Sequence, residues 1–246
     1  MEEKKDLVVL EKEDLKARRR RLTERLENVR QRVILLENEL NDYTNDHFRV
    51  CLFGSARIKQ DDIIYQTTKE LGLLLGKEGI DVLTGGGPGL MEAANVGVMQ
   101  GQKSSGSKSK SFGITIELNK FEEHSEQSDH IDIKHHHKKF SSRLDDFMRL
   151  SHAIVVVRGG IGTLLELFFS WQLLQVGHMK EKPIILLDSE FWRGVIEWMK
   201  DKQIATGLVS PGDLRWIHLV DTPQQALEIV RLEHQKFKEM KIAQGF

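Results

Sequence analysis

The chain has 246 residues, of which 39% are hydrophobic and 30% charged, enough apolar mass for one α/β core with an added segment. Lys and Arg number 36 against 37 Asp and Glu, a formal net charge of −1, which excludes a bulk electrostatic drive toward nucleic acid or a membrane surface. The single cysteine, Cys51, cannot form an intrachain disulfide, and its place in an apolar run points to burial in a reducing compartment.

The first residues, Met-Glu-Glu-Lys-Lys-Asp, lack the apolar core of a signal peptide, and no later run approaches the roughly 18 apolar residues of a membrane span. A cytoplasmic location is the expectation. Residues 1–46 are dense in charge of both signs, free of Gly and Pro, and rich in helix formers, so they are expected to form one long helix. Leu22, Leu26, Val29, Val33, Leu36, Leu40 and Tyr43 alternate in steps of four and three, the spacing of a short coiled-coil seam. Such a seam packs on a second copy of itself or on the domain body, and a homodimer or higher homo-oligomer is expected. The run Arg18–Arg21 is flanked by acidic residues and reads as a solvated helix face.

Residues 47–246 read as a second unit in which short apolar runs alternate with amphipathic stretches. The expected strands are Val50–Phe53, Ile80–Leu83, Phe112–Ile116, Ala153–Val157, Ile184–Leu187 and Trp216–Val220. Expected helices are Ile63–Lys77, Leu90–Met99, Phe140–Leu150, Leu164–Val176, Phe191–Lys202 and Pro223–Phe237. This alternation predicts a Rossmann-like, doubly wound parallel sheet with ligands at the carboxyl ends of its strands. Gly101–Ser111, rich in Gly, Ser and Lys, and Phe121–Lys139 are expected to be loops.

Two glycine-rich turns stand at strand ends: Thr84-Gly-Gly-Gly-Pro-Gly-Leu-Met-Glu-Ala-Ala94 and Arg158-Gly-Gly-Ile-Gly-Thr-Leu-Leu-Glu166. Each precedes a helix, so each can aim unpaired N–H groups and a positive helix end at an anion. Gly85, Gly86, Gly87 and Gly89 let backbone approach a ligand, and Pro88 pre-sets a helix start. In the second turn Gly159, Gly160 and Gly162 do the same, Thr163 is expected to cap the helix, and Glu166 is placed on its first turn. Arg143, on the helix before the strand Ala153–Val157, can meet Glu166 above the two cradles. An arginine fork and a carboxylate there suit nucleotide-monophosphate hydrolysis.

These motifs, with Phe53-Gly-Ser-Ala-Arg57 on the first strand, resemble the LOG ("Lonely Guy") family, formerly labelled lysine decarboxylase-like. The resemblance runs from about Arg49 to Leu232 and leaves the N-terminal helix outside. It implies a Rossmann-like dimer that hydrolyses the N-glycosidic bond of nucleoside 5′-monophosphates, AMP-like or cytokinin-type, to free base and ribose 5-phosphate. By position, Arg143 and Glu166 would be the catalytic pair. Ser55, Arg57, Gly86, Gly87, Gly89, Met91, Gly159, Gly160, Gly162 and Thr163 would bind the nucleotide and its phosphate. The reaction passes through an oxocarbenium-like state that a carboxylate can stabilise, and it calls for no metal and no cofactor. Two departures stand out. Arg158 replaces the signature proline, as a phosphate contact or a solvated cation. Leu144 and Leu165 stand where cytokinin-activating members carry Lys and Glu, so ordinary purine or pyrimidine nucleotides are the expected substrates.

Competing readings are a non-catalytic nucleotide or molybdenum-cofactor carrier of the same fold, and an amino-acid decarboxylase, which would need a pyridoxal-binding lysine that no motif supplies. His135, His136 and His137, read as part of an irregular loop, are expected to point apart and to hold no metal, with His136 or His137 as possible base contacts. Trp192 and Trp198 are expected in core or interface rather than as a stacking platform.

Overall fold

A computed structural model describes residues 15–33, 36, 47–116 and 130–243. The chain divides into two compact units, Met1–Asp46 and His47–Phe246. In the first, residues 15–33 form helix α1. The seam residues Leu22, Leu26, Val29, Val33 and Leu36 are each about half exposed, between 46% and 60%. Leu40 and Tyr43 lie outside the described residues.

The second unit is a seven-stranded sheet in the order β4-β3-β2-β1-β5-β6-β7. The strands are β1 (Arg49–Phe53), β2 (Asp81–Thr84), β3 (Ser111–Ile116), β4 (Ile133–His137), β5 (Ala153–Val156), β6 (Ile184–Leu187) and β7 (Ile217–Val220). Every adjacent pair is parallel. The order reverses direction at β1 and β5, where Cys51 sits beside Ile154 and Phe53 beside Val156. Crevices at such switch points are where doubly wound sheets place their ligands.

Alternation along the strands builds two cores. Val50, Leu52, Val82, Val155, Ile185 and Leu187 face one side, under α2 (Ile63–Lys77), α3 (Leu90–Ser105) and α7 (Pro223–Ala243). Cys51, Phe53, Leu83, Ile114, Ile154 and Leu186 face the other, under α4 (Phe140–Leu150), α5 (Ile161–Gln175) and α6 (Ser189–Trp198). Each fully buried Leu, Ile or Phe in these layers contributes about 1.5–3 kcal/mol. Cys51 is fully buried, and so is Trp192, as the sequence implied, whereas Trp198 stays half exposed at 50%.

Helices α2 and α3 meet backbone to backbone. Gly72 and Gly76 on α2 face the carbonyls of Ala94 and Val98, while Gly97 and Gly101 on α3 face those of Lys69 and Leu73. A Cβ at Gly76 would lie 2.5 Å from the Val98 oxygen. Only glycine at i and i+4 on both helices allows this approach.

Three local expectations are corrected. The stretch 101–105 continues α3, which ends on Gly106 in the left-handed region at φ 71°, a C-terminal cap; Ser109 and Ser111 beyond it are buried. The segment Ile133–His137 is not loop but edge strand β4, paired to β3 in register from Phe112 with Ile133 to Ile116 with His137. The helix expected to end at Lys202 stops at Trp198 and passes into a π-helical turn, Met199–Ile204. Among the described residues no helix is long and apolar enough to cross a membrane.

Candidate active site

The exits of β1 and β5 are joined backbone to backbone: Val157 N–H donates to the Phe53 carbonyl at 2.9 Å, and Ser55 N–H to the Arg158 carbonyl at 3.0 Å. The turn after β2 is stitched to the same place, since Leu90 N–H donates to the Ser55 carbonyl at 2.9 Å. A Cβ at Gly89, where φ is +69°, would lie 2.5 Å from that same oxygen. Both glycine turns and the β1 exit therefore converge at the switch point. Ser55 accepts the Arg57 N–H on its hydroxyl at 3.1 Å, and Arg57 is exposed.

Within the first turn Gly86 adopts φ +73°, a conformation that strains residues with a Cβ. Its N–H donates to the buried Thr84 hydroxyl at 3.1 Å, which in turn reaches the Asn95 side-chain oxygen at 3.2 Å. The Gly86 N–H is thus spent inside the protein. Gly86 shapes the cradle, and its N–H is not one of the free donors that the sequence led us to expect. Pro88 precedes the cap residue Gly89 and lies outside α3, so it does not open the helix.

The second turn opens α5 with Gly160 as cap and no side-chain cap bond. Thr163 is not the expected cap. It is buried in the helix at 5% exposure, with its side chain against Gly159 so closely that a Cβ there would overlap it. A Cβ at Gly160 or Gly162, by contrast, meets nothing within 4 Å. The first-turn N–H groups of α5 are left without helical partners, as at any helix start. Glu166 lies one turn deeper than expected, because α5 begins at Ile161 and has no acidic residue in its first turn.

Arg143, on the first turn of α4, and Glu166 are brought together. Arg143 Nη1 lies 3.9 Å from Glu166 Oε1, with side-chain exposures of 13% and 14%. The guanidinium is fixed from three sides. Its Nε donates to the Ile114 carbonyl at 2.8 Å, its plane lies 5.2 Å from the Phe147 ring centre, and its Nη2 rests against Gly85, where a Cβ would overlap it. Met91 packs on the same turn, its Sδ 2.8 Å from where a Gly85 Cβ would sit. Burial pushes the Glu166 carboxyl up to about 7, which Arg143 only partly offsets, and burial lowers the Arg143 guanidinium below its ordinary value. The result is a carboxyl able to hold or release a proton near neutral pH beside a cation that stays charged.

Arg158 is partly exposed, its side chain 39% accessible, and is turned to a carboxylate of the protein itself. Its Nε donates to Asp188 Oδ2, and the guanidinium lies 5.9 Å from the Phe191 ring centre. The Asp188 carboxylate raises the Arg158 guanidinium above its ordinary value. Sequence reasoning missed Asp188, Ile114 and Asn95, none of which carries a local motif. Gly85 it read only as room for a ligand, whereas here it makes room for Arg143.

The histidine cluster lies on edge strand β4, beside Thr115 of β3, whose methyl would lie 2.8 Å from a Cβ at Gly86. As strand residues, His135 and His137 share one face, with His137 Nε2 at 2.9 Å and His135 Nδ1 at 3.4 Å from Asp146 Oδ2. His136 faces the other way, 3.1 Å from the Thr115 hydroxyl. Arg149 binds the second oxygen of Asp146 at 2.7 Å. No group of His, Cys, Asp and Glu among the described residues is arranged to hold a metal ion.

Residues 91–230 match the family described as possible lysine decarboxylase. The chain belongs to this family. The description is the older label of the LOG proteins that the motifs resemble, and the match spans α3 to the first part of α7, including Arg143 and Glu166. The chain is 29% identical over 141 residues to the pyrimidine/purine nucleotide 5′-monophosphate nucleosidase of Escherichia coli K12, a match covering 56% of this chain and 30% of that one. It is 36% identical over 78 residues to the cytokinin riboside 5′-monophosphate phosphoribohydrolase of Mycobacterium tuberculosis, covering 31% and 41%. The matches thus span less than half of either relative. Among solved structures, a molybdenum cofactor binding protein from Rippkaea orientalis aligns over 75% of this chain and 96% of its own, with TM-score 0.52 and 21% identity. The molybdenum cofactor carrier protein of Chlamydomonas reinhardtii aligns over 77% and 99%, with TM-score 0.54 and 19% identity. At that identity the likeness establishes a shared fold.

Proposed function

We propose that this family member hydrolyses the N-glycosidic bond of nucleoside 5′-monophosphates, releasing the free base and ribose 5-phosphate. The observation that carries this reading is the buried Arg143–Glu166 pair at the sheet's switch point, with the Glu166 carboxyl held near 7. A carrier needs the anion cradles but has no use for a carboxyl poised to exchange a proton.

In this reading the 5′-phosphate sits on the free N–H groups that open α5, where Gly160 and Gly162 leave room. Gly87, Gly89 and Met91 line the opposite wall, and Ser55 and Arg57 flank the ribose. As the C1′–N bond breaks, positive charge develops on the ribose ring, and the Glu166 carboxylate stabilises it. Water then adds to C1′, giving one proton to Glu166, which returns it to the departing base nitrogen, so one water is consumed per bond broken. Arg143, held by Ile114 and Gly85, fixes the substrate and the carboxylate without losing its own proton. The protein is proposed to act as a homo-oligomer, with the α1 seam as one contact.

The test is base release from a panel of nucleoside 5′-monophosphates and nucleosides, followed by chromatography, with Glu166→Gln beside the unaltered chain. Release from monophosphates alone, lost in the variant, is expected. Tight nucleotide binding without release would overturn hydrolysis and favour the carrier reading.

A further inference from the structure

Asp188 is the one non-glycine residue among the described residues with positive φ, at φ 87° and ψ 83°. L-residues adopt that region at a cost, and Asp is among the few that tolerate it. It stands at the exit of β6, where its N–H donates to the Val220 carbonyl at 2.8 Å and one carboxylate oxygen caps α6 by accepting from Phe191 N–H at 3.3 Å. The strained backbone sends the other oxygen back to Arg158 at the exit of β5. The Arg158 carbonyl, meanwhile, is held by Ser55 at the exit of β1. Arg158 thus ties three neighbouring strand exits together immediately before Gly159 and Gly160, two residues whose backbones have the widest conformational freedom.

We infer that Asp188 and Arg158 form a tether that positions the Gly159–Thr163 turn, making both positioning residues of the substrate site. The inference rests on the proposed function only in calling that turn the phosphate cradle; the tether itself is a property of the fold. Asp188 serves because its carboxylate cancels the guanidinium charge, leaving the α5 N-terminus to set the local field, and because its second oxygen is anchored on α6.

The full chain is compared with Asp188→Asn, Arg158→Ala and the double variant. Asparagine caps helices and tolerates positive φ as aspartate does, so Asp188→Asn removes the charge and keeps the fold, which thermal unfolding verifies. Without any ligand, amide hydrogen exchange at residues 159–163 is expected to quicken on the order of tenfold in each single variant, and no further in the double, because one interaction is lost in all three. With AMP as the probe, KM is expected to rise on the order of tenfold in both single variants, while kcat stays within about twofold. Exchange unchanged in Asp188→Asn overturns the tether. So does AMP binding that is weakened by Arg158→Ala but unchanged or tightened by Asp188→Asn, which would make Arg158 a direct phosphate ligand. If the unaltered chain neither binds nor cleaves any monophosphate, the proposed function falls, and the exchange measurement decides the tether by itself.

Discussion

Replacing Glu166 with glutamine should flatten the pH dependence of stability at the same time as it removes activity. Burial holds the carboxyl at about 7 against an ordinary 4.5. The fold therefore favours the neutral acid: the stabilisation is complete below the unfolded value and is lost as pH rises through the folded one. Each pKa unit is worth about 1.36 kcal/mol, so between about pH 5 and about pH 8.5 the unaltered chain should lose about 2.5 kcal/mol through this one group. Glutamine cannot ionise, and the variant should lack that loss. Whatever constant cost the variant bears beside Arg143 cancels when its stability relative to the unaltered chain is compared at the two pH values. The assay is urea unfolding of both proteins at each pH, read as the difference of differences. Equal pH slopes for the two chains would refute the claim that Glu166 is desolvated and would take the proton-holding role with it.

The same shift predicts a base-release rate that climbs as pH passes about 7, because the carboxylate is the working form; a flat profile from pH 6 to 8 would count against Glu166. Arg143→Lys should lower kcat on the order of a hundredfold, since an ammonium cannot bond the Ile114 carbonyl and still lie flat on Gly85 toward Glu166; steady-state kinetics check this. Gly97→Ala should destabilise by roughly 1–3 kcal/mol, because the methyl would overlap the Lys69 carbonyl. Gly160→Ala, with open space at its Cβ, should change unfolding by less than about 0.5 kcal/mol and yet weaken nucleotide binding. If the α1 seam joins two copies, Leu22→Glu with Leu26→Glu should lower the sedimenting mass without changing the unfolding of the sheet domain.

The interior strands β1, β5 and β6 were legible because parallel strands buried on both faces read as continuous apolar runs, and β2, β3 and the edge strand β7 were legible from shorter apolar runs broken by polar residues or glycine. The strand β4 was not, because at the sheet edge Ile-Lys-His-His-His needs no apolar face and adjacent histidines carry no period of their own. The tail of α3 was hidden by its Gly, Ser and Lys composition, although Gly106 marked its stop. The glycine pairs 72/76 and 97/101 offered a signal for the α2–α3 contact through their spacing. At the site, Arg143 and the two glycine turns were legible, since each sits in a motif or one helix before one. What escaped were the contacts of Arg143 to Ile114 and of Arg158 to Asp188. These depend on which strand exits become neighbours, and strand order leaves no local trace.

The close approach of α2 and α3 bears on how the site can open. Because their backbones touch, neither helix can slide or tilt without forcing peptide groups into each other. The loops that lead into them, after β1 and after β2, must then travel as one rigid piece, sewn together by the Leu90–Ser55 bond. The opposite wall is tied to the same piece as far as Arg158, whose carbonyl holds the Ser55 N–H, and only beyond it, at Gly160 and Gly162, is there open space around the backbone. Admission of a ligand and departure of products therefore call for movement of the residues after Arg158, against a wall that stays still.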